Sequence, residues 1–442
     1  MANPKVIMKK AHSRSYFYRI SAWLHLWLGL ITGIVMVIVC VTACIWVFQD
    51  EITAYGLEPE TRISYREKPV LTPSELVQIA GKKFPDKKVS YASYQQGRAI
   101  YLGLGNGRRG NTVLRIHPYS GDVIGIKEHQ EGEVDFFRFI LNGHRFLWLP
   151  WEIGRPIVNY STLIFVITLI TGMVLWWPKK WTKSTREKSF FIKWKGTFKR
   201  VNYDLHNVLG FYSLLIVFAI ACTGMVYGIQ WFSKGLYWTT SGGKSIPDFA
   251  RHESDSLQMG KHYTPQQAMD VAWHKVLSKH TDAEGFYYSF PDTSRPKTLI
   301  NITLYPSAGK YYNHIGYSFD QHTLKEMPKH EVYGADFDSA SFGVKLRKMN
   351  YDIHVGSILG LPGKIIAFFA SLIGASLPIT GFIIWWGKRK KGKKKSALPK
   401  NKKQKALSSM ELRDLLNQER NLKKPVPHSY KPTAVLPINK LE

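Results

Sequence analysis

Four histidines lie near the ends of long apolar segments, where an ionisable side chain is costly unless it has a function. These are His25, His144, His206 and His354. Two of them end a repeated pentapeptide, NYDLH at 202–206 and NYDIH at 350–354. Two neutral imidazoles that face one another across a helix bundle can bind the iron of a b-type haem from opposite sides. The sequence therefore predicts two b-type haems, with the four histidines as axial ligands of the haem iron.

The repeated pentapeptide also permits simpler interpretations. Asn202 and Asn350 could be helix N-cap residues, with the acid that follows stabilising the first turn. Asp204 and Asp352 could instead orient the ligating imidazoles through hydrogen bonds. A single histidine at a helix end is more often an interfacial hydrogen-bonding group than a metal ligand. The haem prediction therefore depends on the four matched positions.

Basic side chains flank the pair formed by His144 and His354. They are Arg145, Arg155 and Lys364. Each could bind a haem propionate by a charge-assisted hydrogen bond. Each could equally only anchor a helix at the membrane surface, and the sequence leaves both roles open.

Four apolar stretches of this 442-residue chain are long enough to cross a bilayer, which takes about 20 helical residues. They lie near 21–48, 155–177, 205–231 and 365–386. Most of the net charge of +29 is carried by three other segments, 1–20, 178–201 and 387–442. Because Lys and Arg accumulate on the cytoplasmic side, both termini and the middle loop are predicted to be cytoplasmic. This distribution argues against nucleic acid as a partner and favours anionic membrane lipid.

The predicted topology assigns each histidine to one side of the membrane. The first and third spans begin in the cytoplasm, so His25 and His206 are predicted to lie near the inner surface. The second and fourth spans begin outside, so His144 and His354 are predicted to lie near the outer surface. Each haem is therefore expected between one histidine from each half of the chain.

The two halves of the chain share the same spacing of polar and small residues. His25 and His206 are each followed, 17 residues later, by a threonine, Thr42 or Thr223. A Thr-Gly dipeptide precedes a Trp-Trp pair in each half, at 171–172 and at 380–381. We predict a duplicated arrangement in which the unit of span, outer domain and span occurs twice.

The two polar inserts have the pattern of small α+β domains. Each begins with a capping box that has proline at the first helical position, at 72–75 and at 264–267. Alternating β-prone stretches follow the predicted helix of each insert. They are 89–95, 99–104 and 112–117 in the first insert, and 286–290, 298–304 and 310–319 in the second. Neither insert contains a nucleophile elbow, a phosphate loop or zinc-ligand spacing.

The predicted fold is a membrane protein with four transmembrane α-helices and two small outer α+β domains. In chain order, the predicted parts are a cytoplasmic N-terminus (1–20), the first span (21–48), the first outer domain (50–143), an outer histidine segment with the second span (144–177), a basic cytoplasmic loop (178–201), the third span (202–232), the second outer domain (233–349), an outer histidine segment with the fourth span (350–386), and a basic, largely disordered cytoplasmic tail (387–442). The three cysteines lie inside spans, so no disulfide framework is predicted.

At these residues the sequence resembles the PepSY-associated transmembrane-helix family. The matching motifs are LHLWLGL at 24–30, GHRFL at 143–147, GRPI at 154–157, TGMVLWWPKK at 171–180, LHNVLGFY at 205–212, IHVGSILGLPGK at 353–364 and TGFIIWW at 380–386. The family includes iron-regulated inner-membrane proteins and di-haem ferric-siderophore reductases. The resemblance implies PepSY-like domains in the periplasm, a location in the bacterial inner membrane, and haem-ligand roles for the four histidines.

The leading functional hypothesis is electron transfer from a cytoplasmic donor through two haems to a periplasmic acceptor. The expected acceptor is a ferric siderophore or another ferric chelate, because Fe(II) is bound more weakly than Fe(III) by oxygen chelators. The Lys-rich cytoplasmic face would dock an acidic flavoprotein or another electron donor. Two alternatives remain: an electron-transfer subunit for a partner reductase, and a haem-free PepSY protein that regulates or binds an envelope partner. No catalytic residue is assigned.

Overall fold

The computed structural model of the protein describes residues 15–105, 112–130, 132–292, 294–396 and 413–418. The chain divides into two compact units, Met1–Ile384 and Trp385–Glu442. The described part of the second unit is helical, over 385–396 and 413–418. The disorder predicted for the tail therefore concerns residues that lie mostly outside the described ranges.

Each insert contains a helix followed by strands, as the sequence predicted, but the structure adds strand β4 and several short helices. The helices are α1 (Tyr16–Trp46), α2 (Gln49–Ile52), α3 (Pro73–Lys83), α4 (Phe136–Phe146), α5 (Trp151–Trp176), α6 (Lys183–Phe190), α7 (Phe198–Asp204), α8 (Gly210–Gly228), α9 (Gln230–Thr240), α10 (Pro265–Leu277), α11 (Phe342–Val355) and α12 (Gly360–Ser396). The strands are β1 (Val89–Gln95), β2 (Ile100–Leu104), β3 (Thr112–Ile116), β4 (Val123–Glu128), β5 (Gly285–Ser289), β6 (Leu299–Tyr305) and β7 (Ile315–Asp320).

Four helical stretches are long and apolar enough to cross a membrane. They are Tyr16–Trp46, Trp151–Trp176, Phe198–Gly228 and Ser357–Arg389. The third stretch joins α7 and α8 through one π-helical segment, Leu205–Leu209. Each stretch overlaps one of the four predicted spans. The chain is therefore a multi-pass membrane protein, as the length of its apolar runs predicted.

The spanning helices pack through apolar and small side chains. Helix α5 contacts both α1 and α8, and Met36, Leu169 and Met225 are buried among them. Helices α1 and α12 also approach closely, because a methyl group placed on Gly33 would lie 3.2 Å from Cβ of Pro378. Small residues permit such contacts between membrane helices. The packing thus brings the two halves of the chain against each other.

The helices α3 and α10 begin where the capping boxes predicted. The Thr72 hydroxyl accepts the backbone N–H of Glu75, and the Glu75 carboxylate accepts the N–H of Thr72. The same reciprocal bonds join Thr264 and Gln267 at the start of α10. Proline stands at the first helical position in both cases. Local sequence alone therefore determines these two helix starts.

The two inserts share one sheet, and here the structure differs from the prediction of two separate α+β domains. The seven strands are antiparallel in the order β4-β3-β2-β1-β5-β6-β7. Strands β1 and β5, from different inserts, pair from Tyr91 opposite Ser289 to Gln95 opposite Gly285. Alone, each strand would be an edge with unpaired backbone groups. Their pairing satisfies those groups and makes one sheet from two.

The helices α3 and α10 cover one face of this sheet and complete a single core. Alternate residues of the strands point into this core, as the alternating burial of β6 shows. Leu102 from the first insert and Ile302 from the second are both fully buried in it. The two helices are also joined, because the Asp270 carboxylate accepts hydrogen bonds from the backbone and hydroxyl of Ser74. The inserts therefore form one packed body.

Candidate cofactor site: two facing histidine pairs

The structure brings together the histidine pairs that the sequence predicted. The rings of His25 and His206 have centroids 6.1 Å apart and planes inclined by 85°. The rings of His144 and His354 have centroids 6.0 Å apart and planes inclined by 64°. Each pair contains one histidine from each half of the chain. The role of these histidines as haem ligands stays a prediction.

The two pairs lie at opposite ends of α1. His25 lies near the start of this helix, whereas Thr42 lies near its end and contacts His144. We call His25–His206 the inner pair and His144–His354 the outer pair, after the sides of the membrane predicted from the sequence. Seventeen helical residues rise about 25 Å. The sites are therefore separated by a large part of a bilayer core, which is about 30 Å thick.

Each histidine directs its Nδ1 atom to a threonine on a neighbouring helix. The Nδ1 to Oγ1 distances are 3.4 Å for His25 and Thr171, 3.3 Å for His144 and Thr42, 2.9 Å for His206 and Thr380, and 3.0 Å for His354 and Thr223. Each threonine hydroxyl donates to carbonyl groups of its own helix. Because the hydroxyl hydrogen is used in this way, each hydroxyl oxygen can accept a hydrogen bond from the imidazole N–H.

Backbone carbonyls fix the tautomer of three of these rings. The Nδ1 atoms of His25, His144 and His354 lie 3.0 Å, 2.9 Å and 3.1 Å from carbonyl oxygens of the neighbouring helices. A carbonyl oxygen only accepts, so Nδ1 must carry the proton. The Nε2 lone pair then remains available for a metal, as in histidine–metal sites whose second nitrogen donates to a carbonyl.

A glycine lies against the edge of three of the four imidazoles. A methyl group at Gly172, Gly381 or Gly224 would lie 3.0 Å, 3.2 Å or 3.3 Å from Cε1 of His25, His206 or His354. In all three cases the glycine follows the threonine that the histidine contacts. The threonine thus holds the ring while the glycine leaves room for it beside the helix backbone.

The asparagine of the pentapeptide holds the same threonine as the histidine. Asn202 donates to the carbonyl of Thr380 at 3.1 Å, and Asn350 donates to the carbonyl of Thr223 at 3.2 Å. The asparagine and the histidine of each pentapeptide are four residues apart and therefore lie on the same face of the helix. Both side chains thus contact the same threonine of the neighbouring helix. The alternative that these asparagines cap helices is wrong, because the N-caps of α7 and α11 are Thr197 and Ser341.

The aspartates of the pentapeptide do not contact the imidazoles, so their predicted role in orienting the rings is wrong. Asp204 accepts from Arg200 Nε at 2.7 Å and from the backbone of Lys193 at 3.2 Å. Asp352 accepts from the backbone N–H of Tyr311 at 3.1 Å and from the Ser357 hydroxyl at 2.6 Å.

Both carboxylates are completely buried, and burial raises the pKa of Asp352 above its usual value. Asp204 accepts a hydrogen bond from the backbone of Lys193, and Asp352 accepts one from the backbone of Tyr311. Each carboxylate therefore attaches a loop to the helix segment that carries a histidine. At the outer pair this loop, 306–314, connects two strands of the sheet.

A cavity of about 560 Å³ opens between the helices at the outer pair. His144 and His354 both line it, together with Arg145 and Arg155. Its walls are otherwise mainly apolar, and its volume falls within the range of about 300–1,000 Å³ typical of cofactor pockets. The structure therefore provides enclosed space beside the paired rings.

The basic residues at the outer pair have different surroundings. The guanidinium groups of Arg145 and Arg155 lie 4.7 Å and 4.8 Å from the ring centre of Trp151, at the edge of the cavity. Lys364 instead contacts both carboxylate oxygens of Glu51 at 2.9 Å and 3.0 Å. Both arginines thus line the cavity, and Arg155 also donates to the carbonyl of Tyr227 at 3.0 Å, whereas Lys364 joins two helices.

Sequence reasoning missed the four threonines as functional residues. Their positions were part of the repeat, with Thr42 and Thr223 each 17 residues after a histidine. Spacing along one helix could not show that the contact is made with a histidine of another helix. The signal that could have identified them is a threonine in every span, at matched positions of the two halves.

Removal of one threonine hydroxyl tests its role. Thr223→Val is expected to lower the haem affinity of the outer pair by about 10- to 100-fold, the usual cost of losing a partner that orients a metal ligand. Absorbance titration of the haem-free protein with haemin measures this affinity. Thr162→Val is the matched control, because Thr162 lines the same cavity and bonds the carbonyl of Val158. Equal affinities in the two variants would contradict the assigned role.

These observations define a class of protein: a multi-pass membrane protein whose helices hold paired histidines at two separate levels. Residues 22–388 match the family described as the PepSY-associated TM region, so the chain belongs to this family, as the sequence motifs predicted. No curated protein shows a significant match to the chain. Among the residues that the structure describes, no group of three or more His, Cys, Asp and Glu side chains is arranged to hold a metal ion.

Proposed function

We propose that the protein is a di-haem conduit that carries electrons across the membrane. The observation that carries this proposal is the presence of two facing imidazole pairs, with ring centroids 6.1 Å and 6.0 Å apart, at opposite ends of the bundle. Two nitrogen ligands per site is the number that axial ligation of haem requires. The duplicated arrangement of the chain supplies one ligand from each half to each site.

The separation within each pair supports ligation of one metal. Metal–imidazole bonds are about 2.0–2.1 Å long and a ring nitrogen lies about 1.1 Å from its ring centre, so two imidazoles on opposite sides of one metal have centres about 6.2 Å apart. The two observed separations agree with this distance. The occupied Nδ1 atoms support the same assignment, because Nε2 is the atom left for the metal.

The remaining residues of the outer site are suited to enclose a porphyrin. When bound, haem supplies an iron that accepts and releases one electron at a time. His144 and His354 would hold the iron, and Arg145 and Arg155 would pair with the propionates. The threonines fix the orientation of the imidazoles. The apolar walls of the cavity exclude water and lower the local dielectric constant, which together with ligand identity sets the reduction potential.

The direction of transfer follows from the distribution of charge. The segments 1–20, 178–201 and 387–442 carry most of the positive charge of the chain. By the positive-inside rule these segments are cytoplasmic, so both termini and the pair His25–His206 lie at the cytoplasmic side. The sheet and the pair His144–His354 lie outside, in the periplasm of a bacterial inner membrane. Electrons therefore enter at the inner pair and leave at the outer pair.

The proposed electron donor and electron acceptor lie on opposite sides of the membrane. An acidic flavoprotein is suited to dock on the Lys-rich cytoplasmic face, which also attracts anionic lipid. The proposed acceptor is a ferric siderophore or another ferric chelate in the periplasm. Each electron that leaves the outer site reduces one Fe(III) to Fe(II), which oxygen chelators hold more weakly. Reduction would thereby release iron for uptake.

Spectroscopy and reduction of a ferric chelate test this proposal. Purified protein is expected to contain two haems per chain in the pyridine haemochrome assay and to show the reduced α-band of bis-histidine haem. After reduction with dithionite and removal of excess, it is expected to convert ferric citrate to Fe(II), detected with ferrozine, at a rate that saturates with chelate concentration. Absence of haem would favour the haem-free regulatory function. Haem without saturation would favour a subunit that serves a partner reductase.

A further inference from the structure

A row of tyrosine rings leads from the outer histidine pair to the sheet. Tyr351 lines the same cavity as His354. The Tyr351 and Tyr311 rings are perpendicular, with centroids 5.2 Å apart. Tyr311 in turn contacts Tyr305 at the end of β6, with centroids 5.6 Å apart. These three residues, here called the tyrosine row, form continuous aromatic contact from the cavity to the sheet.

The helix that carries His354 also holds the first two members of the tyrosine row in place. The buried carboxylate of Asp352 accepts the backbone N–H of Tyr311, so this loop is tied to the helix that carries His354. Tyr351 belongs to the same helix as His354, three residues before it, and both side chains line the cavity. The row therefore has a fixed position relative to the outer pair.

The aromatic surface continues from Tyr305 across the sheet. Tyr305 lies on β6 and Tyr287 on the neighbouring strand β5. Tyr287 is opposite Thr303, which is two residues before Tyr305, so the two tyrosines are diagonal neighbours on one face of the sheet. Residues in this diagonal relation are within reach of aromatic side chains. Tyr287 stacks on Tyr91 of β1, with ring centroids 5.5 Å apart and planes inclined by 12°. All three tyrosines lie on the sheet face opposite the core covered by α3 and α10.

We propose that the tyrosine row is the electron exit from the outer pair, and that the acceptor binds on the sheet face that carries Tyr305, Tyr287 and Tyr91. The inference rests on the proposed function. One electron from the outer site would reduce one Fe(III) of the acceptor to Fe(II), while the tyrosines remain uncharged phenols. They act by filling the gap with closely packed π-systems, across which electron tunnelling is faster than across a void.

The chemistry of this sheet face favours an oxygen-rich chelate as the acceptor. Besides the three aromatic rings, it carries the hydroxyls of Ser93 and Thr303, which both lie opposite Tyr287 in the sheet. Hydroxyl and phenol groups donate hydrogen bonds to carboxylate, hydroxamate and catecholate oxygens. Aromatic rings also provide a flat apolar surface for the body of such a ligand.

A second route from the outer pair is available for comparison. Tyr227 lies 6.0 Å from His354, ring centroid to ring centroid, and half of its surface is exposed. An acceptor that approached the cavity there would bypass the sheet. Variants at Tyr311 and Tyr227 therefore distinguish the two exits.

Stopped-flow reoxidation of the holoprotein tests the tyrosine row. The full chain with both haems is reduced by dithionite, freed of excess and mixed with ferric citrate, and haem absorbance is followed. Tyr311→Leu is expected to slow reoxidation by about tenfold or more, the factor that a rise of about 1.4 kcal/mol in the barrier produces. Tyr311→Phe keeps the ring and is expected to retain the wild-type rate. Tyr312→Leu is the matched control, because Tyr312 belongs to the same loop but packs against Phe337.

The outcomes separate this inference from the proposed function. Absence of haem from the wild-type protein would overturn the proposed function. Wild-type reoxidation rates in Tyr311→Leu, with two haems present, would overturn the exit alone. Slow reoxidation in Tyr227→Leu but not in Tyr311→Leu would move the exit to the exposed side of the cavity. Slow reoxidation in both Tyr311→Leu and Tyr312→Leu would show a general disturbance of the loop and would also reject the row.

Discussion

Replacement of His354 by alanine is expected to abolish the bis-histidine absorption of the outer site and leave that of the inner site intact. The reason is that His354 provides one of the two facing imidazoles of this site, and its ring lies 6.0 Å from that of His144. His206→Ala is expected to affect the inner site in the same way. The pyridine haemochrome assay and the reduced spectrum measure both effects, with each variant losing or altering about half of the haem signal.

A matched histidine variant makes the assignment specific. His330 lies outside the spans, packs against Phe249 and bonds the carbonyl of Pro247. His330→Ala is therefore expected to keep the haem content and spectrum of the wild-type protein. Unchanged haem content and spectra in His354→Ala and His206→Ala would reject the pairing. Equal losses in all three variants would indicate misfolding and would also count against it.

Truncation of one residue in the shared core of the sheet is expected to destabilise both inserts together. Ile302 of β6 is fully buried between the sheet and its helices. Ile302→Ala is expected to lower the free energy of unfolding of the sheet by about 2–5 kcal/mol, because it leaves a cavity in a packed core. Limited proteolysis along a temperature series is expected to show cleavage within 50–143 and within 233–349 at the same, lowered temperature.

The neighbouring residue provides the control for this experiment. Thr303 lies next to Ile302 in β6 but on the opposite face of the strand. Thr303→Ala is expected to change the stability by no more than about 1 kcal/mol, the span of strand propensities measured in proteins. Cleavage of the second insert in Ile302→Ala while the first insert remains resistant would show that the inserts unfold independently. That result would contradict the single core.

Much of the chain could be predicted because the decisive signals are local. The length of an apolar run determines whether a helix can cross a bilayer, and the four stretches so identified are the spanning helices. The capping boxes at Thr72 and Thr264 are satisfied by residues three positions away. Strands with regular alternation, such as β1 and β6, were also predicted. The edge strand β4 was not, because Gly125 and the polar end of the strand interrupt its alternation.

The pentapeptide shows how far local interpretation extends. Its histidines were assigned to pairs correctly, because the order of the spans determines which ends of helices meet. Its asparagines and aspartates were not. Asn202, Asn350 and Asp352 have partners that are distant in sequence, whereas Asp204 bonds Arg200, four residues away, instead of the imidazole. Asn350 contacts Thr223, and Asp352 contacts Tyr311. A helix start and a hydrogen bond across helices require the same residue types, so composition cannot distinguish them.

The sequence by itself determined the four spans, the two helix starts, the concentration of positive charge in three segments and the pairing of His25 with His206 and of His144 with His354. These depend on hydrophobic length, on bonds between near neighbours and on the number of crossings. Only the tertiary structure decided that the inserts share one sheet and that a threonine holds every imidazole. These contacts form only when two strand edges or two helix faces pack against each other. Their partners depend on the shape and register of both surfaces, and neither segment contains that information alone.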